Sequence, residues 1–411
     1  MEAYDVVIIG AGVAGLSCAK ALTEGGKRVI LLEAQEYIGG RIKTDRMYDT
    51  VEIGAEFVHG ENATTWEIIR AEGLTAEPWS FKGMSDYRVY GEDGRIRPDS
   101  KEMMAAMYAA EEDLWECEDP AISVNAYVNA QDVPEEIRFY AKRHIGDVEA
   151  ADTEDLSAAK LAAASRRSTN GEENFRILDG YDRIPEALAR GLEVRVGHPV
   201  TQVNWKRGSV EVLCANGATF VAPRLVFTVP LGVLKKDLLK FSPALPSSFT
   251  GAVSRIGFGD NCKILLWVDS EVPEFRMIDT RGWYGHFWQQ KKRNETIITG
   301  YCGGSRATKL TNMGEAAAIE VGIEDIASAL GEDIRAHVKQ ARFCSWSDNP
   351  YILGSYSYPK LGMGNARTEI QEPVADTLYY CGEASHDKGH ASTVHGAIEM
   401  GRATAKQILY G

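Results

Sequence analysis

Three glycines near the start of the chain have the spacing of a dinucleotide-binding turn. Gly10, Gly12 and Gly15 follow the apolar run Val6–Ile9 and precede a segment with helical periodicity. Such a run is typical of a parallel strand that is buried on both faces. Gly10 permits a tight turn, Gly12 lets a pyrophosphate approach the backbone, and Gly15 lets the helix pack close to the strand. The phosphates are then expected to face the N–H groups at the start of the helix.

A carboxylate ends the second strand that this motif requires. The segment RVILLE (28–33) is strand-like and finishes at Glu33, where a carboxylate can accept hydrogen bonds from ribose hydroxyls. A glycine turn without a ligand is the alternative, but the strand, helix, second strand and acid occur in the required order. Gly39 and Gly40 allow a second close backbone approach, and Arg41 beside them can pair with a phosphate.

Length and composition favour a soluble enzyme of two domains. The chain has 411 residues, of which 44% are apolar and 25% charged. No apolar run reaches the roughly 18 residues of a membrane-spanning helix, so no membrane association is expected. The first strand starts within a few residues of Met1 and leaves no room for a signal peptide, which predicts a cytoplasmic location. The seven cysteines lack CxxC spacing, so neither a metal site nor a disulfide framework is expected.

The net charge of the protein indicates which classes of molecule it is expected to bind. A formal charge of −14 disfavours nucleic-acid binding. A negative field attracts cationic substrates, although acidity also serves solubility alone.

Further segments resemble the FAD-dependent amine oxidase superfamily, which includes monoamine oxidases, polyamine oxidases and lysine-specific histone demethylases. The motifs occur in family order over almost the whole chain and are most similar to those of polyamine oxidases. They are GGR (39–41), VEIGAEFVHG (51–60), TVPLGVL (228–234), CKILLWVD (262–269), SWSDNPYILGSYSY (345–358) and YYCGEASHDKGHASTVHGAIEMGRATA (379–405).

The resemblance implies an α/β plus α+β fold, with a Rossmann-like FAD-binding domain and an interleaved substrate-binding domain made of a mixed sheet flanked by helices. The FAD-binding domain is expected to comprise residues 1–75, 175–250 and 370–411, and the substrate-binding domain residues 76–174 and 251–369. Segments 100–116 and 314–330 have helical periodicity, whereas 263–268 and 295–304 are strand-like.

The same resemblance implies which residues hold FAD. Glu383 is expected at the ribityl chain, and the helix start at Thr393 and Val394 against the isoalloxazine ring, where N–H groups stabilise negative charge. Ser355 stands where monoamine oxidases carry the cysteine that tethers the flavin, so FAD is expected to be noncovalent. The implied cofactor-binding residues are Gly10, Gly12, Gly15, Glu33, Gly40, Arg41, Val200, Trp346, Gly382, Glu383, Thr393 and Val394.

Three residues are implied in catalysis. Lys263 occupies the position of a lysine that related enzymes link through water to flavin N5, where a cation helps dioxygen accept electrons; a solvent-facing strand-edge lysine is the alternative. Tyr356 matches one wall of an aromatic cage that suits an amine. Thr393 replaces the second cage tyrosine of monoamine oxidases, which opens the cage to a longer or secondary amine.

Glu56, His59 and His395 are implied near the substrate. A carboxylate at Glu56 can recognise a distal ammonium, but a hydrogen-bonded structural pair of Glu56 and His59 is equally open. An aromatic cluster forms either sheet core or pocket wall. Its members are Trp283, Tyr284, Phe287 and Trp288.

The implied activity is oxidation of an amine. Hydride passes from the amine α-carbon to flavin N5, the resulting imine hydrolyses to an aldehyde, and dioxygen is reduced to hydrogen peroxide. The expected partners are a small amine and dioxygen; the oligomeric state stays open. One alternative is a flavin oxidase or dehydrogenase of an L-amino acid or secondary metabolite, which needs an arginine such as Arg88, Arg143 or Arg166 at the pocket. Another is a noncatalytic FAD-bound interaction protein.

Overall fold

The computed structural model describes residues 4–79, 87–91, 93–292 and 295–411. Helices in these ranges are α1 (Val13–Glu24), α2 (Thr65–Glu72), α3 (Ser100–Leu114), α4 (Val124–Ala130), α5 (Glu135–Val148), α6 (Ala158–Arg167), α7 (Arg183–Ala189), α8 (Leu231–Lys235), α9 (Ser247–Arg255), α10 (Ser305–Met313), α11 (Glu315–Leu330), α12 (Ala366–Glu369) and α13 (Val394–Tyr410).

The strands follow the same chain order. They are β1 (Val6–Ile9), β2 (Val29–Leu32), β3 (Thr44–Asp45), β4 (Val51–Glu52), β5 (Val58–His59), β6 (Ala76–Pro78), β7 (Tyr87–Val89), β8 (Asn174–Ile177), β9 (Val194–Arg195), β10 (Val200–Lys206), β11 (Ser209–Cys214), β12 (Thr219–Ala222), β13 (Arg224–Phe227), β14 (Lys240–Ser242), β15 (Gly257–Phe258), β16 (Asn261–Val268), β17 (Met277–Asp279), β18 (His286–Lys291), β19 (Thr296–Gly303), β20 (Val338–Ser345), β21 (Ser357–Tyr358) and β22 (Leu378–Tyr380).

A parallel sheet with the order β22–β13–β1–β2–β9 forms the first half of the fold. Val6 and Ile8 of β1 pack against α1 and α13. Val7 and Ile9 alternate with them and face the antiparallel strands β10–β12 with helices α8 and α9. Both faces are therefore covered, as the continuous apolar run predicted, and the Rossmann-like fold is confirmed. The five strands come from all three chain ranges assigned to the FAD-binding domain, but the domain boundaries themselves stay a prediction.

A six-stranded mixed sheet with the order β20–β16–β19–β18–β17–β7 forms the second half. Helices α10 and α11 cover one face, and α3 to α6 cover the other. The helices expected near 100–116 and 314–330 and the strands expected near 263–268 and 295–304 are confirmed as α3, α11, β16 and β19.

Successive side chains of a strand point to opposite faces of the sheet. In the six-stranded sheet this alternation decides which side chains face the helical core and which face the cavity. Along β16, Cys262 and Ile264 face α10 and α11, so Lys263 between them lies on the opposite face. Along β18, Phe287 packs into the α10–α11 core, whereas Trp288 lies among the helices α3 to α6. The aromatic cluster foreseen in the sequence is thus divided between core and pocket.

Within the described ranges, no helix is both long and apolar enough to cross a bilayer.

Close packing of α1 on β1 depends on Gly15. A Cβ added there would lie 2.0 Å from the carbonyl oxygen of Gly10. Gly10 itself has φ +101°, a conformation that favours glycine. The glycine spacing therefore places the first turn of α1 directly over the end of β1.

We expect Gly15→Ala to lower the free energy of unfolding by about 1–3 kcal/mol, because the added methyl group overpacks this contact. Gly251→Ala is the matched control: it lies inside α9, and its added Cβ would meet no atom within 4 Å. Alanine in that helix should raise stability by up to about 1 kcal/mol. Denaturant unfolding followed by circular dichroism measures both variants. Equal stability of the two variants would show that the contact at Gly15 is unimportant.

Candidate active site

A cavity of about 1060 Å³ runs between the two halves of the fold. The cofactor, catalytic and substrate residues implied by the sequence line it, with the exceptions of Gly15 and His395. Segments separated by hundreds of residues thus meet around one cavity. Its volume is at the upper end of the range of about 300–1,000 Å³ that is typical of ligand pockets.

His395 is the substrate residue that the structure places elsewhere. It lies in the first turn of α13 and is 2% exposed. Its Nε2 contacts the Asn170 amide rather than the cavity. Burial, and then the neighbouring His390, lower the pKa of His395 to about 3. The helical turn that carries Val394 to the wall therefore directs His395 into the core, and the expected substrate contact is not supported.

One end of the cavity is built from backbone that can hold phosphates. A Cβ added to Gly12 would meet no atom within 4 Å, so the backbone there is open to the cavity. Within the described chain no side chain caps the start of α1, which leaves its N–H groups for an anion. Glu33 accepts hydrogen bonds from the Ala11 N–H at 2.8 Å and the Gln35 N–H at 2.9 Å. Burial raises the pKa of Glu33 despite these bonds.

A second buried carboxylate, Glu383, fixes the start of α13. It accepts hydrogen bonds from Ser357 Oγ at 2.6 Å and the Ser392 N–H at 3.0 Å, and it pairs with Arg41 at 3.0 Å. Burial alone would raise the pKa of Glu383, but Arg41 and the hydrogen bonds lower it. Thr393 caps the helix by accepting the Gly396 N–H at 3.0 Å. The helix N-terminus is therefore held rigidly at the cavity wall.

Lys263 and Glu56 belong to one chain of buried charges. Lys263 Nζ donates to the Gly54 carbonyl at 3.1 Å and to Glu56 Oε2 at 3.3 Å, while Arg176 donates to Glu56 Oε1 at 2.6 Å. Burial alone would raise the pKa of Glu56, but the charges of Arg176 and Lys263 outweigh it and lower the pKa. Both Glu56 oxygens are thus engaged by cations of the protein, which favours a structural role over recognition of a distal ammonium.

His59 is not the hydrogen-bond partner of Glu56. Its exposed side chain lines the cavity, and its Nδ1 lies 2.7 Å from Asn174 Oδ1. The surrounding protein atoms partly desolvate the ring, which lowers the pKa of His59 although its side chain is open to the cavity.

The aromatic wall is held by a hydrogen-bonded chain. The Tyr356 hydroxyl donates to the Val148 carbonyl at 2.6 Å and lies 3.0 Å from the Tyr301 hydroxyl. Asn261 in turn donates to the Tyr301 hydroxyl at 2.8 Å. Trp288 packs near Tyr301, with ring centroids 6.2 Å apart. The expected cage residue Tyr356 therefore belongs to a larger, fixed aromatic surface.

Sequence reasoning missed Glu149, which follows α5 and lines the cavity. Burial raises the pKa of its carboxyl group to about 7, although the charge of Arg367 opposes the shift. Among the residues that the structure describes, the carboxyl group of Glu149 has neither a hydrogen bond nor an ion pair. No motif marks this residue, because its position depends on how α5 packs over the six-stranded sheet.

A cluster of two histidines and a carboxylate lies beside α13. His386 Nε2 and His390 Nδ1 lie 2.9 and 2.8 Å from Glu399 Oε2, a donor set that can bind a metal. The backbone N–H groups of Lys388 and His390 donate to His386 Nδ1, so its proton is on Nε2. An imidazole N–H that donates to a carboxylate is not available as a metal ligand, so the arrangement favours hydrogen bonding.

Comparisons with known proteins place the chain in a family. Residues 13–409 match the family model described as flavin containing amine oxidoreductase. The chain is 28% identical to Polyamine oxidase 2 of Arabidopsis thaliana, over 98% of this chain and 87% of that protein. It is 25% identical to Polyamine oxidase 4 of Oryza sativa subsp. japonica, over 98% and 88% of the two proteins.

Solved structures share the fold. Wild-type putrescine oxidase bound to putrescine superposes with a TM-score of 0.85 at 18% identity, over 100% of both chains. Cyclohexylamine oxidase from Brevibacterium oxydans superposes with a TM-score of 0.82 at 19% identity, over 99% of both chains.

The cavity fits the cofactor of this family. The open backbone at Gly12 and the uncapped start of α1 suit a pyrophosphate, and Glu33 suits a ribose. Ser355 Oγ is buried and finds no hydrogen-bond partner in the described residues, as expected for an atom that faces a ligand. The chain belongs to the flavin-containing amine oxidoreductase family, and FAD is its cofactor.

Proposed function

We propose that the protein oxidises an extended amine of the polyamine type, with dioxygen as electron acceptor and noncovalent FAD. FAD, held by the turn at Gly10 and Gly12, by Glu33 and by the start of α13, would supply the hydride acceptor for oxidation of the amine α-carbon. The oxidised amine would then hydrolyse to an aldehyde. The protein contributes binding, orientation and electrostatic stabilisation.

The proposal rests mainly on the carboxyl group of Glu149, which lines the cavity without a hydrogen bond or ion pair in the described chain. The Glu149 side chain is half-buried in the cavity wall. An unpaired carboxylate that has lost much of its hydration is costly unless a ligand compensates it. A substrate ammonium supplies the missing charge and N–H donors, and hydrogen bonds to charged groups contribute about 1.5–3 kcal/mol. Its raised pKa also lets Glu149 accept a proton from the ammonium near neutral pH. An amine must lose that proton before it can donate hydride.

Tyr356 gives the amine a defined place next to this carboxylate. Its hydroxyl donates to the carbonyl of Val148, the residue before Glu149. The ring and the carboxylate are therefore positioned by the same turn at the end of α5. An electron-rich ring face attracts an ammonium, so both groups favour an amine over an anionic substrate.

The three arginines that the sequence offered as partners for an L-amino acid bond to backbone carbonyls instead. Arg88 donates to the Glu274 carbonyl at 2.8 Å, Arg143 to the carbonyls of Gly282 and Trp283, and Arg166 to the carbonyl of Trp115. None of these three arginines lines the cavity. None of the three arginines considered from the sequence is therefore placed to bind a substrate carboxylate.

Anaerobic mixing of the FAD-loaded protein with polyamines, monoamines and L-amino acids tests the proposal. Amines should bleach the flavin at least about tenfold faster than amino acids, a difference of about 1.4 kcal/mol in the barrier. Bleaching by L-amino acids alone would overturn the substrate class. No bleaching by any compound would identify a noncatalytic FAD-binding protein.

Lys263→Met should slow reoxidation of the reduced flavin by dioxygen. The ammonium lies in a buried wall, where a cation stabilises the negative charge that forms on oxygen. We expect a loss of roughly tenfold or more if Lys263 supplies at least about 1.4 kcal/mol. Stopped-flow mixing of prereduced enzyme with oxygenated buffer measures this step separately from reduction by amine.

Lys309→Met is the matched control, because the same substitution falls on an exposed residue of α10. It should reoxidise at the wild-type rate. Equal rates for the Lys263 variant and the wild type would make Lys263 a structural residue. Negligible oxygen use by the wild type would make the enzyme a dehydrogenase.

A further inference from the structure

Arg176 is a buried cation that lies next to the cavity without lining it. It belongs to β8 and is 5% exposed. Its guanidinium donates to Glu56 Oε1 at 2.6 Å, and Lys263 Nζ donates to Glu56 Oε2 at 3.3 Å. Arg176, Glu56 and Lys263 therefore form a charge row, of which only Glu56 and Lys263 line the cavity.

Contacts with three side chains hold the guanidinium of Arg176 in place. Its Cζ atom lies 3.6 Å from the ring centroid of Trp79 and 4.9 Å from that of Phe57. With its amide oxygen turned to the guanidinium, Gln290 accepts hydrogen bonds from Nε at 2.8 Å and from Nη2 at 3.0 Å. Burial lowers the pKa of Arg176 although the charge of Glu56 opposes the shift, and a guanidinium in a protein stays protonated. Arg176 is therefore a fixed charge that orients the Glu56 carboxylate.

The orientation of Glu56 in turn fixes Lys263. An ammonium has three N–H donors. Two of those on Lys263 reach the Gly54 carbonyl at 3.1 Å and Glu56 Oε2 at 3.3 Å. The third has no partner among the described residues, so it is available to a ligand in the cavity.

The charge row borders the part of the cavity that fits the cofactor. The N–H of Ala55, the residue before Glu56, donates to the Arg41 carbonyl at 3.1 Å. Arg41 pairs with Glu383 at 3.0 Å, and Glu383 accepts the Ser392 N–H just before α13. The backbone that carries Glu56 is thus tied to the start of α13, where the isoalloxazine ring is expected.

The charge row has two positive charges and one negative charge. Lys263 and Glu56 alone would form a neutral pair, so Arg176 supplies the net positive charge. All three side chains are at most 11% accessible, and buried charges are screened by salt much less than exposed ones. The net charge therefore acts on a ligand in the adjoining cavity.

Neighbouring charges do not cancel this charge. Glu52 interacts with Lys263, but burial raises the pKa of Glu52 to about 7, so at neutral pH its carboxyl group carries only part of a negative charge. Glu77 and Arg276 interact with Arg176. Both are exposed and they are opposite in charge, so their effects are screened and offset each other.

We propose that Arg176 is a positioning residue that raises the reduction potential of the bound FAD: acting through Glu56, it fixes the Lys263 ammonium and gives the adjoining cavity wall a net positive charge. Uptake of a hydride, which carries two electrons and one proton, adds one negative charge to the isoalloxazine ring system. A nearby positive charge stabilises that product. The inference rests on the proposed amine oxidation, in which a higher potential favours transfer of hydride from the amine.

The midpoint potential of the bound FAD tests this role. It is measured at neutral pH by anaerobic titration with dithionite beside a redox dye of known potential. Arg176→Met should shift the equilibrium between oxidised and reduced FAD about tenfold toward the oxidised form, which is a fall of about 30 mV for a two-electron couple. The unbranched methionine side chain suits the space between the rings.

Two further variants separate charge from packing. Arg176→Lys keeps the positive charge and should keep the potential near that of the wild type. Arg276→Met is the matched control, because Arg276 also lies over the Trp79 ring, at 5.0 Å, but is exposed and lies outside the cavity wall. It should leave the potential unchanged.

The outcomes separate this inference from the proposed function. An unchanged potential in Arg176→Met, or an equal fall in Arg176→Lys or Arg276→Met, would overturn the role of Arg176. If Arg176→Met fails to fold or to bind FAD, Arg176→Gln decides, since it removes the charge but keeps an N–H donor for Glu56. No reduction of the wild type by any amine would overturn amine oxidation, whereas the dithionite titration would still decide the role of Arg176.

Discussion

Charges buried in the wall of a deep cavity must be paired, because an isolated buried charge costs several kcal/mol. This constraint shapes the site more than any single motif. Glu56 lies between Lys263 and Arg176, and Glu383 is paired with Arg41. Each pair joins chain segments that are more than 100 residues apart in sequence. Lys263–Glu56 connects the nucleotide-binding half to the six-stranded sheet of the substrate half. The other two pairs tie together distant segments of the nucleotide-binding half.

The same constraint explains why an unpaired carboxyl group in the cavity wall indicates a ligand. The carboxyl group of Glu149 faces the cavity without a hydrogen bond or ion pair in the described chain, although neighbouring acids are compensated. Groups of this kind are unfavourable in the free protein and favourable with a suitable ligand. The cavity wall thus consists largely of paired charges, and the Glu149 carboxyl group is left open to a ligand.

Contiguous motifs were predictable from the sequence because their geometry is local. Gly10, Gly12, Gly15 and Glu33 follow from one strand, one helix and the next strand, and the structure places them around one turn. Lys263 and Tyr356 were found through the family resemblance, and both line the cavity. The roles of these residues stay predictions until they are measured.

The substrate half was less predictable because its geometry depends on packing. Glu149 directly follows α5 and belongs to no motif, and it reaches the cavity because α5 covers one face of the six-stranded sheet. His395 shows the converse: it lies within a recognisable motif, but the helical turn buries it. Glu56 lies in a family segment, yet its partner Arg176 is 120 residues away and carries no signal of its own.

The central claim is that an ionised Glu149 receives the substrate amine. The direct test is the pH dependence of the second-order rate constant for anaerobic flavin reduction, in the wild type and in Glu149→Gln. The raised pKa leaves the carboxyl neutral at low pH and ionised above about 7. The wild-type rate constant should therefore rise through that pH, in addition to any titration of the amine. Glu149→Gln should lack this rise and react about tenfold or more slowly at higher pH, as expected for a lost charged hydrogen bond. Superimposable profiles from two FAD-loaded proteins would contradict the account.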